Sequence, residues 1–138
     1  MKNKHLLRLV SLPLLWVAGC ATDSQSSQWK DIGVTEQGSV AYAVDKNSIK
    51  RDGQKVTFRS RAKYIKVNQL PVNLPAHDSA ITTWMMDCDS GKYRPVRTEL
   101  LDKNGVSVYS SEIDNAQYQP APSRETAMYR QRQFVCKK

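Results

Sequence analysis

Histidine is nearly absent: His5 and His77 are the only two among 138 residues. A structural zinc site needs four closely spaced nitrogen or sulfur ligands, and the three cysteines, Cys20, Cys88 and Cys136, lie far apart. The six glycines are scattered singly, so there is no glycine-rich phosphate loop. Neither His-Glu-x-x-His nor Gly-x-Ser-x-Gly occurs. His77 follows Pro71 and Pro75 and precedes Asp78, in a loop, where it reads as a solvated side chain. Asp87 and Asp89 flank Cys88 beside Lys92. That suits a solvated strand end better than a glycosidase pair, whose acid needs an apolar site to raise its pKa. Long hydrophobic runs are missing as well. The run from Leu9 to Ala18 is about half the roughly 20 residues that span a bilayer. These absences argue against an enzyme, and against any cofactor or metal.

What is present begins at the N-terminus. Lys2, Lys4 and Arg8 precede the apolar run, which closes on Val17-Ala18-Gly19-Cys20. A basic start, a short apolar core and small residues before the cut are the plan of a secretory signal. The last four residues resemble the lipobox of bacterial lipoproteins. The resemblance implies cleavage after residue 19, acylation of Cys20 and attachment to a membrane without a transmembrane helix. Ala21-Thr22-Asp23 places no acidic residue directly after the cysteine, which by the same resemblance points to the outer membrane. Residues 21–28 are small and polar with nothing to bury and read as a flexible tether. The expected organisation is a signal at 1–19, a lipidated tether at 20–28 and one domain at 29–138.

Removing residues 1–19 takes three of the 21 basic residues and none of the 13 acidic ones, leaving a net charge of +5. That suits an anionic partner, such as an anionic glycan or an acidic protein face, though it is also an ordinary excess for solubility. With Cys20 acylated, Cys88 and Cys136 remain. In an oxidising envelope compartment they most simply form one disulfide. The ring closed between positions 88 and 136 would stabilise the fold by roughly 4 kcal/mol in the chain-entropy model.

The pattern along the domain is mainly that of strands. Val40, Tyr42 and Val44 alternate, and Asp45-Lys46-Asn47-Ser48 then breaks the run. Asp52-Gly53 is the strongest hairpin signal. After it, Val56, Phe58, Ser60, Ala62 and Tyr64 alternate with Lys55, Thr57, Arg59, Arg61 and Lys63, which predicts a strand with one face inward and one in solvent. Residues 67–78 read as a long exposed connection. Further strands are expected over Ala80–Cys88, over Tyr93–Leu101 (with Pro95 weakening it or placing it at an edge) and over Val106–Tyr109. Near the C-terminus, Ser123 is the expected N-cap of a helix. Ala127, Met128, Gln131, Phe134 and Val135 would lie on its apolar side, and Arg124, Arg130 and Arg132 would face water. The fold class is therefore α+β: an antiparallel meander of about five or six strands with a C-terminal helix packed on one face and tethered through Cys136 to Cys88.

One surface feature carries a functional hypothesis. Lys55, Arg59, Arg61 and Lys63 share a strand face, and Lys66 lies just beyond. Eight residue steps at about 3.3 Å each make a basic row of roughly 26 Å. Such a row could face an extended polyanion or an acidic protein segment, with arginine supplying bidentate contacts. Alternatively it is a solvated sheet face quenched by cross-strand carboxylates such as Glu99 or Glu112. Nucleic acid does not suit a lipid-anchored envelope protein.

Four stretches together resemble the surface-adhesin protein E family: Trp29-Lys-Asp-Ile32, Tyr42-Ala-Val-Asp45-Lys-Asn-Ser48-Ile49-Lys-Arg-Asp-Gly53-Gln-Lys-Val56, Asp87-Cys88 and Phe134-Val135-Cys136. The resemblance implies an outer-membrane lipoprotein with an antiparallel sheet, a disulfide-tethered C-terminal helix and a capacity to form homodimers. It also implies surface display and binding of host extracellular-matrix or plasma proteins: vitronectin, laminin and plasminogen. The competing expectation is a periplasm-facing binding or accessory lipoprotein, for instance a lysozyme inhibitor.

Overall fold

The ten residues from Lys55 to Tyr64 do what their alternation dictates. Val56, Phe58 and Ser60 are buried, whereas Lys55 and Lys63 are exposed. In the computed structural model, which describes residues 28–35, 37–65 and 73–138, this strand runs through the middle of an antiparallel sheet. The strands are β1 (Trp29–Val34), β2 (Val40–Asp45), β3 (Lys50–Asp52), β4 (Lys55–Tyr64), β5 (Ser79–Asp87), β6 (Tyr93–Leu101) and β7 (Ser107–Glu112), followed by one helix, α1 (Ala127–Val135). The expected signal, Cys20, the tether up to residue 27, Lys66 and the connection at 66–72 lie outside the described residues.

The sheet order is β1-β2-β4-β5-β6-β7. β3 pairs with β4 as well, so β2 and β3 run in line along one side of β4, separated by a 3-10 turn at Lys46–Ser48. The hairpin at Asp52-Gly53 forms, with Gly53 at φ +58°, a conformation that glycine adopts without a Cβ penalty. Asp102 starts the β6–β7 turn by accepting bonds from Asn104 N and Val106 N. Pro95 is accommodated where β6 has passed the end of its β7 ladder and where the pairing with β5 is bulged. The meander contains one strand that the sequence pattern left out, β1.

Register separates two faces. On the inner face Val44, Val56, Phe58 and Met86 pack with Val135 of α1 to form the core. The disulfide forms as expected: Cys88, just after β5, is bonded to Cys136, the C-cap of α1, with Cα atoms 5.6 Å apart. It closes the helix onto the sheet beside that core, with both cysteines partly buried against it.

The helix departs from the sequence reading in two respects. It starts at Thr126, not Ser123. The Thr126 hydroxyl accepts from Tyr129 N, and Ser123 contributes only its carbonyl, to Thr126 N and Oγ1. Residues 123–126 are thus spent on a turn, and Glu125 precedes the cap. Arg130 and Arg132 also do not simply face water. Arg130 donates to Val34 O (3.2 Å) and Arg132 to Cys88 O (3.0 Å). Arg130 thus reaches the edge strand β1 and Arg132 the turn after β5, where the guanidinium groups satisfy carbonyls. Gly91 makes room for this, since a Cβ there would fall inside the Arg132 guanidinium, and φ is +73° as well. Thr126→Ala should cost about 1 kcal/mol in urea unfolding, and Ser123→Ala less than about 0.5 kcal/mol; the reverse order would restore the earlier cap.

Candidate binding surface

The outer face of the sheet, away from α1, carries the basic row. Lys55, Arg59, Arg61 and Lys63 all point to it, opposite Asp87, Thr83, Ile81 and Ser79 of β5. The structure divides the row into residues built into the fold and residues free for contact.

Arg59 and Arg61 belong to the first group. Asp45, at the end of β2, is 1% exposed. Its Oδ2 lies 3.4 Å from Arg59 Nη1 and accepts from Gln28 Nε2 at 2.8 Å. Its Oδ1 accepts from Asn47 N and caps the 3-10 turn. Ser48, in that turn, donates to Asp45 O and accepts from Arg59 N. Trp29 of β1, in register with Asp45, lies under both guanidinium groups, with Arg61 4.7 Å and Arg59 6.0 Å from its ring centroid. Each such contact contributes about 0.5–1 kcal/mol at a partly exposed site. On sequence alone Asp45 is a turn residue and Trp29 the first residue of the domain, and nothing local joins them. Their shared role comes from strand register, which no local pattern encodes.

Lys55 and Lys63 form the free group, joined by a residue the sequence reading passed over. Arg94 of β6 and Lys55 lie 5.5 and 5.9 Å from the ring centroid of Tyr118. Tyr118 is 40% exposed, and its hydroxyl donates to Met85 Sδ at 3.3 Å. Tyr118 reaches the outer face because Gln119 bridges to Tyr93 along the free edge of β6. Among the described residues Lys55, Lys63 and Arg94 form no ion pair.

The carboxylates expected to quench the row do not. Glu112 pairs with Arg97, and Glu99 stands opposite Ile81, with β5 between it and the row. The quenching carboxylate is Asp45, and it holds only Arg59. Elsewhere His77, read as solvated, is half-buried and packs edge-on against Tyr64 at 5.5 Å, its Nδ1 donating to Pro75 O. Burial, then the neighbouring Tyr42, raises the Tyr64 pKa. Asp87 accepts from Asp89 N and Ser90 N in its turn. No three His, Cys, Asp or Glu side chains among the described residues are grouped to hold a metal ion, and no described helix is long and apolar enough to cross a membrane.

No curated protein sequence is significantly similar to the chain. Solved structures of Haemophilus influenzae protein E share its fold. One matches with a TM-score of 0.54 at 20% identity, covering 77% of this chain and 83% of that one. A second crystal form matches with a TM-score of 0.56 at 19% identity, covering 80% and 87%. The family profile described as surface-adhesin protein E matches residues 29–137. The chain therefore belongs to the surface-adhesin protein E family, which gives it an adhesin-like binding role at the cell surface.

Proposed function

We propose that the protein is an outer-membrane lipoprotein, acylated at Cys20, that displays its domain outward and binds acidic segments of host extracellular-matrix or plasma proteins. The contact surface in this reading is the outer sheet face: Lys55 and Arg94 around Tyr118 at one end and Lys63 at the other, with Arg59 and Arg61 as a partly engaged continuation between them. Lys66 and an anionic-glycan partner belong to the same reading. The observation that carries it is the grouping of Lys55 and Arg94 on one half-exposed aromatic ring, with neither cation in an ion pair among the described residues although Asp87 stands opposite Lys55. Guanidinium and ammonium groups beside an aromatic suit a partner that offers carboxylates or sulfates together with apolar surface. Turnover needs no place in this account, because the family works by adhesion.

Two measurements test the anchoring and display. Antibody to the domain should label intact cells about as strongly as permeabilised ones; labelling only after permeabilisation would place it in the periplasm and turn the partner search inward. Cys20→Ser should move the protein from the membrane to the soluble fraction, since stable attachment requires more than one acyl chain or equivalent signal.

A further inference from the structure

The inner face of the sheet is filled at one end and hollow at the other. Around Phe58 and Met86 the core is closed. Further along, the facing pairs on β4 and β5 are small: Ser60 opposite Thr82 and Ala62 opposite Ala80. α1 bridges over this low floor, leaving a partly open cavity of about 310 Å³ with Trp84 and Tyr93 as its aromatic wall. Those two rings meet edge-to-face at 5.6 Å. The Trp84 Nε1–H is already committed to Ser60 Oγ, at 2.9 Å.

Gln131 hangs into this space from the helix. It is 2% exposed, and its Oε1 has no hydrogen-bond partner. A buried amide oxygen without a donor costs about 1–3 kcal/mol, so an occupant of the cavity that supplies a donor is favoured. No charged side chain lines the cavity, which excludes an ionised ligand because nothing would offset its desolvation.

We infer that this helix–sheet cavity is a binding site for a small, neutral, mainly aromatic or aliphatic molecule carrying one N–H or O–H donor, which Gln131 Oε1 accepts. The volume lies at the lower end of small-molecule pockets. The site is on the opposite face from the basic row and stands independently of the adhesin reading.

Indole and its donor-free isostere benzofuran test this on the purified, isotopically labelled protein by ¹H–¹⁵N NMR titration. Indole should shift the Trp84 Nε1–H and Gln131 side-chain signals together with the Ala62 and Ala80 amides, and benzofuran should bind about tenfold more weakly, as loss of one buried hydrogen bond implies. Ala80→Leu should abolish binding by filling the floor. Gln131→Met, which keeps the volume and removes the acceptor, should bring the two affinities together, and it decides the matter if the leucine variant does not fold. Absence of shifts at these four residues up to millimolar indole would overturn the proposal. Equal affinities in the unsubstituted protein would do so too. The same holds if these signals move with protein concentration alone, which would show the cavity filled by a second copy.

Discussion

Replacing Cys88 and Cys136 together by alanine is expected to lower the stability of the domain by roughly 4 kcal/mol. For a domain of about 110 residues that corresponds to a fall in Tm on the order of 15–20 °C. The reasoning starts from the helix. α1 has nine residues, fewer than the ~12–15 that an isolated helix needs in water, and only Gln131 and Val135 of it are fully buried. Its own propensity cannot hold it to the sheet. The bridge removes the entropy of closing a chain whose ends are 48 positions apart and fixes Val135 over Val44, Val56 and Met86. Native domains have only about 5–15 kcal/mol in total, so the loss is a large fraction of the whole. Urea unfolding of the double variant beside the parent measures it. A loss under about 1 kcal/mol would mean that the helix is held by packing alone.

Asp45→Ala is expected to cost about 2–3 kcal/mol, a large effect for a residue that looks like part of a surface turn. The substitution removes the acceptor for Asn47 N, for Gln28 Nε2 and for the Arg59 guanidinium at once. Arg59 keeps a side-chain exposure of 40%, so water takes over part of its solvation and the cost stays below that of a fully buried broken pair. Asp45→Asn, which keeps a capping oxygen and loses the charge, should cost only about 1 kcal/mol. The Trp29 fluorescence should change in the alanine variant as Arg59 leaves the ring. A destabilisation by Asn equal to that by Ala would assign the whole effect to the ion pair and none to the cap.

These two sites mark the boundary between what the sequence shows and what it hides. β4 was legible because ten residues keep period two without interruption, and its hairpin because Asp52-Gly53 has one favourable geometry. The disulfide followed from there being two cysteines left once Cys20 is assigned to lipid. β1 was not legible: Trp29-Lys-Asp-Ile-Gly-Val has two charges, a glycine and a register shift between Asp31 and Gly33, so no alternation survives. It is an edge strand, which needs only one paired side. The helix start was displaced because Ser123 and Thr126 both carry capping hydroxyls, and the choice between them depends on how the preceding turn closes. The basic row was visible, but its division was not. Trp29 and Asp45 lie 16 residues apart and reach Arg59 only through the pairing of three strands. Arg94 and Tyr118 join Lys55 only because a proline-rich segment folds back along β6. Single-strand periodicity carries none of that information.

The most direct test of the binding account is a charge reversal confined to the free group. Lys55 and Arg94 have no ion-pair partner among the described residues, so Lys55→Glu with Arg94→Glu should cost only about 1–2 kcal/mol, from two contacts to the Tyr118 ring and a like charge opposite Asp87, and leave the domain folded. Binding of immobilised protein to vitronectin, laminin and plasminogen would be measured for the parent and this variant at low and physiological ionic strength. The account predicts that the variant loses at least about tenfold in affinity for whichever of them the parent binds. It also predicts that parent binding weakens as salt screens the contact over a Debye length of about 8–10 Å. Unchanged, salt-independent binding by a correctly folded variant would contradict it and move the contact surface off the outer sheet face.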